Sequence, residues 1–172
     1  MSEPKIYIGM SACLLGDLVR YDGGHKKNIF IINAFQGNYE FVKFCPEVGI
    51  GLGVPRETIH LREMKGIVQT VNTQDVNKNY TNALRGYVQQ EAETLGQLSG
   101  LILKSRSPSC GFKSTPVFDA SGNSIPNQFS SGGFTQAVHE LFPNLPIVEE
   151  SQLLNEASIE EFKSRLLVVS KN

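Results

Sequence analysis

The sequence lacks the features expected of membrane, secreted and nucleic-acid-binding proteins. No segment approaches the ~18 consecutive apolar residues of a membrane-spanning helix. Residues 1–13 have no basic region and only a short apolar run, which argues against a signal peptide. The 16 basic and 17 acidic residues nearly cancel, so no net field attracts nucleic acid or an anionic membrane. We therefore expect a cytoplasmic protein with no nucleic-acid or membrane partner.

Cysteine is scarce, and its arrangement argues against a disulfide framework. The chain contains three cysteines, Cys13, Cys45 and Cys110. An odd number does not suit paired disulfides, no CxxC pair is present, and a reducing compartment keeps thiols free. Spacing alone gives no metal motif, so the role of these residues depends on their position in the fold.

Length and composition predict one α/β domain. The chain has 172 residues, of which 40% are hydrophobic and 19% charged, and it is long enough to bury one core. Short β-branched and aromatic runs alternate with segments of helical periodicity, which favours a mostly parallel sheet. We expect a single compact domain over residues 1–172, with a small, mostly parallel sheet flanked by helices in a Rossmann-like three-layer arrangement.

The sequence pattern predicts four strands and four helices for these layers. The predicted strands are residues 5–10, Tyr39–Phe44, Gly100–Leu103 and residues 146–149. The predicted helices lie within residues 26–35 and over residues 75–97, 135–141 and 159–169. Residues 58–61 and 66–70 are expected to form a short strand or a hairpin pair, and residues 112–128 a polar excursion or ragged hairpin.

Each cysteine lies within a few residues of the end of a predicted strand. Cys13 follows the first strand, Cys45 the second and Cys110 the third. Because the carboxyl ends of parallel strands share one edge, where ligands bind, the three thiols should converge. Thiolates are soft ligands for zinc, copper(I) or iron–sulfur clusters, and three protein ligands leave one coordination position open. The alternative is that all three are buried small hydrophobic residues.

Polar residues beside the cysteines are further candidates. Glu47, two residues after the second cysteine, is either a carboxylate for acid–base work or a solvated loop residue. Ser107 and Ser109 precede the third cysteine, where hydroxyls either polarise substrate or water, or stabilise a turn. Lys104 and Arg106 either offset the charge of a thiolate cluster or form an exposed basic loop.

Other glycine-rich and histidine positions give weaker signals. Residues 49–53 (GIGLG) do not run into a predicted helix and are no dinucleotide fingerprint. Residues 131–133 precede a predicted helix and are candidates for anion binding at its free N–H groups, or simply for helix initiation. The histidines His25, His60 and His139 are scattered, so none is selected as the base for a cysteine nucleophile.

Five ordered motifs resemble those of a known family. They are residues 11–16 (SACLLG), 19–23 (VRYDG), 45–47 (CPE), 51–56 (GLGVPR) and 104–111 (KSRSPSCG). In this order, and with all three cysteines, they resemble the small bacterial domain family that includes thiouracil desulfidase. The resemblance covers about residues 5–140, whereas residues 141–172, with the last predicted strand and helix, lie beyond it. Residues 112–129 carry no matching motif.

The resemblance implies a domain that binds a 4Fe-4S cluster through Cys13, Cys45 and Cys110, with one iron left open. That iron would bind the substrate's sulfur and remove it as hydrosulfide, turning a thiolated pyrimidine such as 2-thiouracil into uracil without redox change. Glu47 would be the acid–base residue, assisted by a serine, Ser107 in preference to Ser109. The chemistry is reasonable, because an iron Lewis acid prefers soft sulfur and activated water attacks the thiocarbonyl carbon.

Two other functional classes stay open at this point. One is a zinc or metal-free hydrolase with Cys110 as its nucleophile, which a single thiol alkylation would inactivate. The other is an iron–sulfur or metal carrier, or a sulfur-handling protein for tRNA thiolation, which would bind a cluster without turnover. A relative with the same cluster would also be able to desulfurise a different thiolated base.

Overall fold

The main sheet has the predicted parallel arrangement. The computed structural model describes residues 3–170 and, in that part of the chain, forms two four-stranded sheets. The main sheet consists of β1 (Ile6–Ser11), β2 (Tyr39–Phe44), β5 (Gly100–Leu103) and β8 (Ile147–Glu149). Its order is β2-β1-β5-β8, and all neighbouring strands are parallel. The four predicted strands are therefore confirmed.

A second sheet combines the two predicted hairpins. It consists of β3 (Ile59–Met64), β4 (Ile67–Asn72), β6 (Thr115–Phe118) and β7 (Ser124–Ser130). The hairpins β3–β4 and β6–β7 are joined because β3 pairs with β6 in parallel, which gives the order β4-β3-β6-β7. The hairpins are confirmed, but their union into one sheet was not predicted.

Helices cover the main sheet. They are α1 (Ile29–Ala34), α2 (Pro46–Gly49), α3 (Thr81–Gln90), α4 (Ala92–Leu95), α5 (Gly133–Leu141) and α6 (Glu156–Ser170). The helix predicted over residues 75–97 is wrong in its first part, because Asp75 and Asn79 each accept an N–H two residues ahead and form turns. No helix within residues 3–170 combines the length and apolar character that crossing a bilayer requires.

Both faces of the main sheet are buried. One face packs against α1 and α6 through residues that include Ile8, Met10, Ile31, Ile102 and Phe162. The other packs against α3, α4 and α5 through residues that include Leu84, Leu101, Leu103, Phe134 and Val138. Burying each such side chain contributes about 1.5–3 kcal/mol. The predicted three-layer α/β architecture is confirmed, and it leaves the carboxyl edge of the sheet for a site.

Candidate functional site

A cavity of about 360 Å³ lies at the carboxyl edge of the main sheet, and Cys13, Cys45 and Cys110 all line it. Cys13 lies in the 3-10 helix that follows β1, Cys45 directly follows β2, and Cys110 lies in the loop after β5. The fold thus brings the three thiols together as the strand ends predicted. The volume falls within the range of about 300–1,000 Å³ that is typical of small-molecule sites.

Burial raises the pKa of all three thiols. Burial raises the pKa of the Cys110 thiol to about 12, and the negative charge of neighbouring groups adds to this effect. Burial also raises the pKa of Cys13, although Arg20 opposes the shift by a hydrogen bond and its charge. The pKa of Cys45 is raised for the same reason, with the N–H of Val48 opposing. An incoming metal must therefore displace these protons.

These surroundings do not suit a metal-free hydrolase with a cysteine nucleophile. The thiolate, not the thiol, is the nucleophile, and buried Cys110 holds its proton. None of His25, His60 and His139 lies on the cavity wall to act as a base. His60 instead stacks on a phenylalanine, with the two ring centroids 4.5 Å apart.

The donor set suits an iron–sulfur cluster. Within residues 3–170, no group of three or more His, Cys, Asp or Glu side chains is placed to hold one ion. Three thiolates on one zinc would lie about 4 Å apart, because Zn–S bonds are about 2.3 Å long. In a 4Fe-4S cluster each cysteine binds its own iron. Three thiols that come from separate elements and line one cavity offer the soft sulfur donors that such a cluster takes.

Glu47 is fixed on the cavity wall through both carboxylate oxygens. It lies in the first turn of α2, which begins because Pro46 suits the first position of a helix. Its Oε1 lies 3.0 Å from Arg56 Nε, in an ion pair whose side chains are only 14% and 8% exposed. Its Oε2 accepts a hydrogen bond from Ser109 Oγ at 2.8 Å. Each oxygen keeps further acceptor capacity for a water or a substrate N–H.

The two candidate serines form a hydrogen-bond relay that ends on Glu47. Ser107 Oγ accepts from the backbone N–H groups of Ser109 and Cys110, at 3.2 Å and 2.9 Å. The two serine oxygens lie 3.2 Å apart. Because the single hydrogen of Ser109 goes to Glu47, the hydrogen between the serines must come from Ser107. Ser107 therefore shapes the turn, whereas Ser109 contacts Glu47 and lies 3.9 Å from the Cys110 sulfur.

The start of α5 supports the turn that carries Cys110. The N–H groups of Phe134 and Thr135 donate to the carbonyl oxygen of Ser109, at 3.0 Å and 3.2 Å. A Cβ atom at Gly132 would lie 2.4 Å from the Ser109 carbonyl carbon, so only glycine permits this approach. The anion site considered at residues 131–133 is therefore wrong, because loop carbonyls already occupy the free N–H groups of the helix.

The cations of the cavity divide between the two expected roles, because the charge of Lys104 favours the thiolate of Cys13 whereas Arg106 is exposed. Lys104 Nζ donates to Glu150 Oε1 at 2.6 Å and to the carbonyl and hydroxyl oxygens of Ser105, which uses its three hydrogens. Arg106 lies in an exposed part of the loop. Arg20 is the cation with the larger effect on Cys13, whose pKa its positive charge lowers. Sequence reasoning missed Arg20 and Arg56, the residue that pairs with Glu47, although both lie inside the quoted motifs.

The raised thiol pKa values predict that the metal-free protein loses stability in alkali. A pKa raised in the folded state gives stability that is complete below the ordinary thiol value of 9.0 and disappears as the pH rises toward about 12. We expect the urea midpoint of unfolding to fall above pH 9 and to fall less steeply in Cys110→Ala. Equal slopes for the two proteins would contradict this assignment.

Comparisons with known proteins cover this whole region. A family model described as 2-thiouracil desulfurase matches residues 8–150. A solved structure described as the 4Fe-4S-dependent thiouracil desulfidase TudS superposes with a TM-score of 0.65 at 27% sequence identity. The superposition covers 96% of this chain and 99% of that one. No curated protein matches the chain.

Proposed function

The chain belongs to the 2-thiouracil desulfurase family, and from this premise we propose that it is a 4Fe-4S-dependent desulfidase acting on a thiolated pyrimidine. With 2-thiouracil, water would supply the oxygen of the new C=O bond and sulfur would leave as hydrosulfide plus a proton. No electron is transferred in this exchange. The observation that carries the proposal is the placement of Cys13, Cys45 and Cys110 on one cavity beside Glu47.

Cys13, Cys45 and Cys110 would hold the cluster, which leaves one of its irons without a protein ligand. When bound, the cluster supplies a soft Lewis acid for the substrate's sulfur. The chain supplies polar groups that favour the thiolate form of its ligands, because Ser11 lowers the pKa of Cys110 and Arg20 lowers that of Cys13. These contacts oppose the effect of burial, which otherwise favours the neutral thiols.

Glu47 would act as the acid–base residue. Its carboxylate would accept a proton from the water that attacks the thiocarbonyl carbon, and would return it to the departing sulfur or to a ring nitrogen. Arg56 at 3.0 Å and Ser109 at 2.8 Å fix both oxygens, so the carboxylate is oriented before substrate binds. In this proposal Ser109 assists Glu47 directly, while Ser107 assists through Ser109 and the turn.

The proposed location of this chemistry is the cytoplasm. Three thiols without disulfide bonds suit a reducing cytoplasm, where free cysteines persist. The protein would work there as one domain over residues 1–172. Its substrate would be a small thiolated base, since one cavity of about 360 Å³ has to hold both the cluster and the substrate.

Anaerobic reconstitution with iron and sulfide, followed by a visible spectrum and a 2-thiouracil assay, tests the proposal. We expect a brown protein with broad visible absorption that releases one hydrosulfide for each uracil formed. Protein taken through the same procedure with zinc instead of iron serves as the matched control and should be colourless and inactive. A brown protein that turns over no thiolated base would favour the carrier class. Absence of a cluster after reconstitution would reject the proposal.

A further inference from the structure

Two consecutive carboxylates at the end of β8 bind the two ends of the loop that carries Cys110. We define this Cys110 loop as residues 104–114. Glu150 binds its first end, because Oε1 accepts from Lys104 Nζ at 2.6 Å and from Ser105 Oγ at 2.8 Å. Its other oxygen, Oε2, accepts from the backbone N–H of Ser105 at 2.7 Å. One side chain thus satisfies an ammonium group, a hydroxyl group and a backbone donor.

Glu149 binds the second end of the loop. Its Oε2 accepts from the backbone N–H of Phe112 at 2.9 Å and from the hydroxyl group of Ser114. Ser114 Oγ in turn accepts from the N–H of Arg106 at 2.8 Å, which ties the second end of the loop back to the first. Glu149 is only 5% exposed, and burying a carboxylate is costly unless hydrogen bonds compensate for the lost water.

The middle of the loop is held by a different element. Helix α5 and the residue before it donate to the backbone carbonyl oxygens of Pro108, Ser109 and Gly111, and Thr135 Oγ1 donates to that of Cys110 at 2.8 Å. The two ends of the Cys110 loop, by contrast, are bound by Glu149 and Glu150, which lie at the end of the edge strand β8. The carboxylates also stand outside the apolar faces of the main sheet, at the same edge as the cavity.

We propose that Glu149 and Glu150 are positioning residues, a clasp that sets where the Cys110 sulfur lies relative to Cys13 and Cys45. This inference rests on the proposed function, because the consequence of a misplaced sulfur is weaker retention of the cluster. Residues that orient metal ligands from behind typically change metal affinity or activity by about 10–100-fold when they are replaced. Both residues lie beyond residues 5–140, which carry the motifs, and at the end of the family match over residues 8–150.

The test is the rate at which a chelator bleaches the reconstituted protein under anaerobic conditions. We expect Glu150→Ala to lose its visible absorption about 10–100-fold faster than the wild type, and Glu150→Gln, which keeps one acceptor oxygen, to lie between them. Glu149→Gln should also bleach faster. Glu140→Gln is the matched surface control, since that carboxylate pairs with Arg85 in solvent. Phe162→Leu, in the core on the opposite face from Cys110, controls for a general loss of stability.

The proposal would be overturned if the clasp variants bleached at the wild-type rate. It would also be overturned if they bleached no faster than a Phe162→Leu variant with an equal loss of Tm. Amide hydrogen exchange at Ser105 and Phe112 gives a readout that needs no cluster. Faster exchange at these amides in Glu150→Gln or Glu149→Gln, with exchange in β1 unchanged, would support the clasp. If the wild type binds no cluster, the proposed function fails, and unchanged exchange at these two amides would then overturn the clasp separately.

Discussion

Replacing Cys13, Cys45 or Cys110 singly with alanine is expected to abolish the visible absorption of the reconstituted protein and to reduce desulfurisation to the background rate. Each thiol lies in the segment that follows a different strand, so no neighbouring cysteine can replace the one that is lost. Two remaining ligands would leave two irons without protein donors. Iron content, visible absorption and hydrosulfide release should therefore fall together in all three variants.

The fold itself should survive these substitutions. Alanine in place of a buried thiol removes one atom, and the metal-free wild type already holds its thiols protonated. The metal-free variants should match the metal-free wild type in Tm within a few degrees. Met10→Leu is the matched control, because it removes a buried sulfur on β1 that does not line the cavity. A cysteine variant with full iron content and full turnover would not be a ligand variant, and that assignment would be withdrawn.

The convergence of the thiols was predictable from local sequence alone. The strands that precede Cys13 and Cys45 are short and β-branched or aromatic, and Gly100–Leu103 is a continuous apolar run before the Cys110 loop. Each of these patterns is set within about six residues and requires no knowledge of distant contacts. The parallel topology then brings the thiols together, because it places the carboxyl ends of all three strands at one edge.

The partners of the site residues were not predictable in the same way. Glu47 meets Ser109 and the Cys110 loop meets Glu149 and Glu150 across 35 to 62 positions of sequence. An Asp or Glu at the end of a strand gives no local sign of what its oxygens will accept. The choice between Ser107 and Ser109 likewise depends on where one hydrogen points, which only the contact with Glu47 decides.

A close backbone approach and a short strand pairing explain two further differences between expectation and structure. Residues 131–133 looked open to an anion because a helix follows them, but the Cys110 loop folds back onto that helix start. The glycine at 132 was the available signal, since glycine marks sites where another backbone comes near. The second sheet was missed because β3 and β6 pair over only two residues, too few to leave a pattern.

Glu47→Gln is expected to keep the cluster and to lower turnover by about 10²–10⁴-fold, the usual contribution of a general acid–base residue. Glutamine has the same length and shape, so its oxygen can still accept from Arg56 while its amide group donates to Ser109 Oγ. The wall of the cavity and the three thiols should therefore stay in place. What the amide cannot do is accept a proton from the attacking water and return it.

The split between cluster content and rate makes this prediction decisive. Iron content and the visible spectrum of Glu47→Gln should equal those of the wild type, with the loss confined to kcat for 2-thiouracil. Ser109→Ala is the matched comparison: it removes one hydrogen bond to Glu47 but leaves the carboxylate and its ion pair with Arg56, so its loss should be smaller. Wild-type turnover in Glu47→Gln would reject the acid–base role, and loss of the cluster would show that Glu47 supports the ligands instead of the reaction.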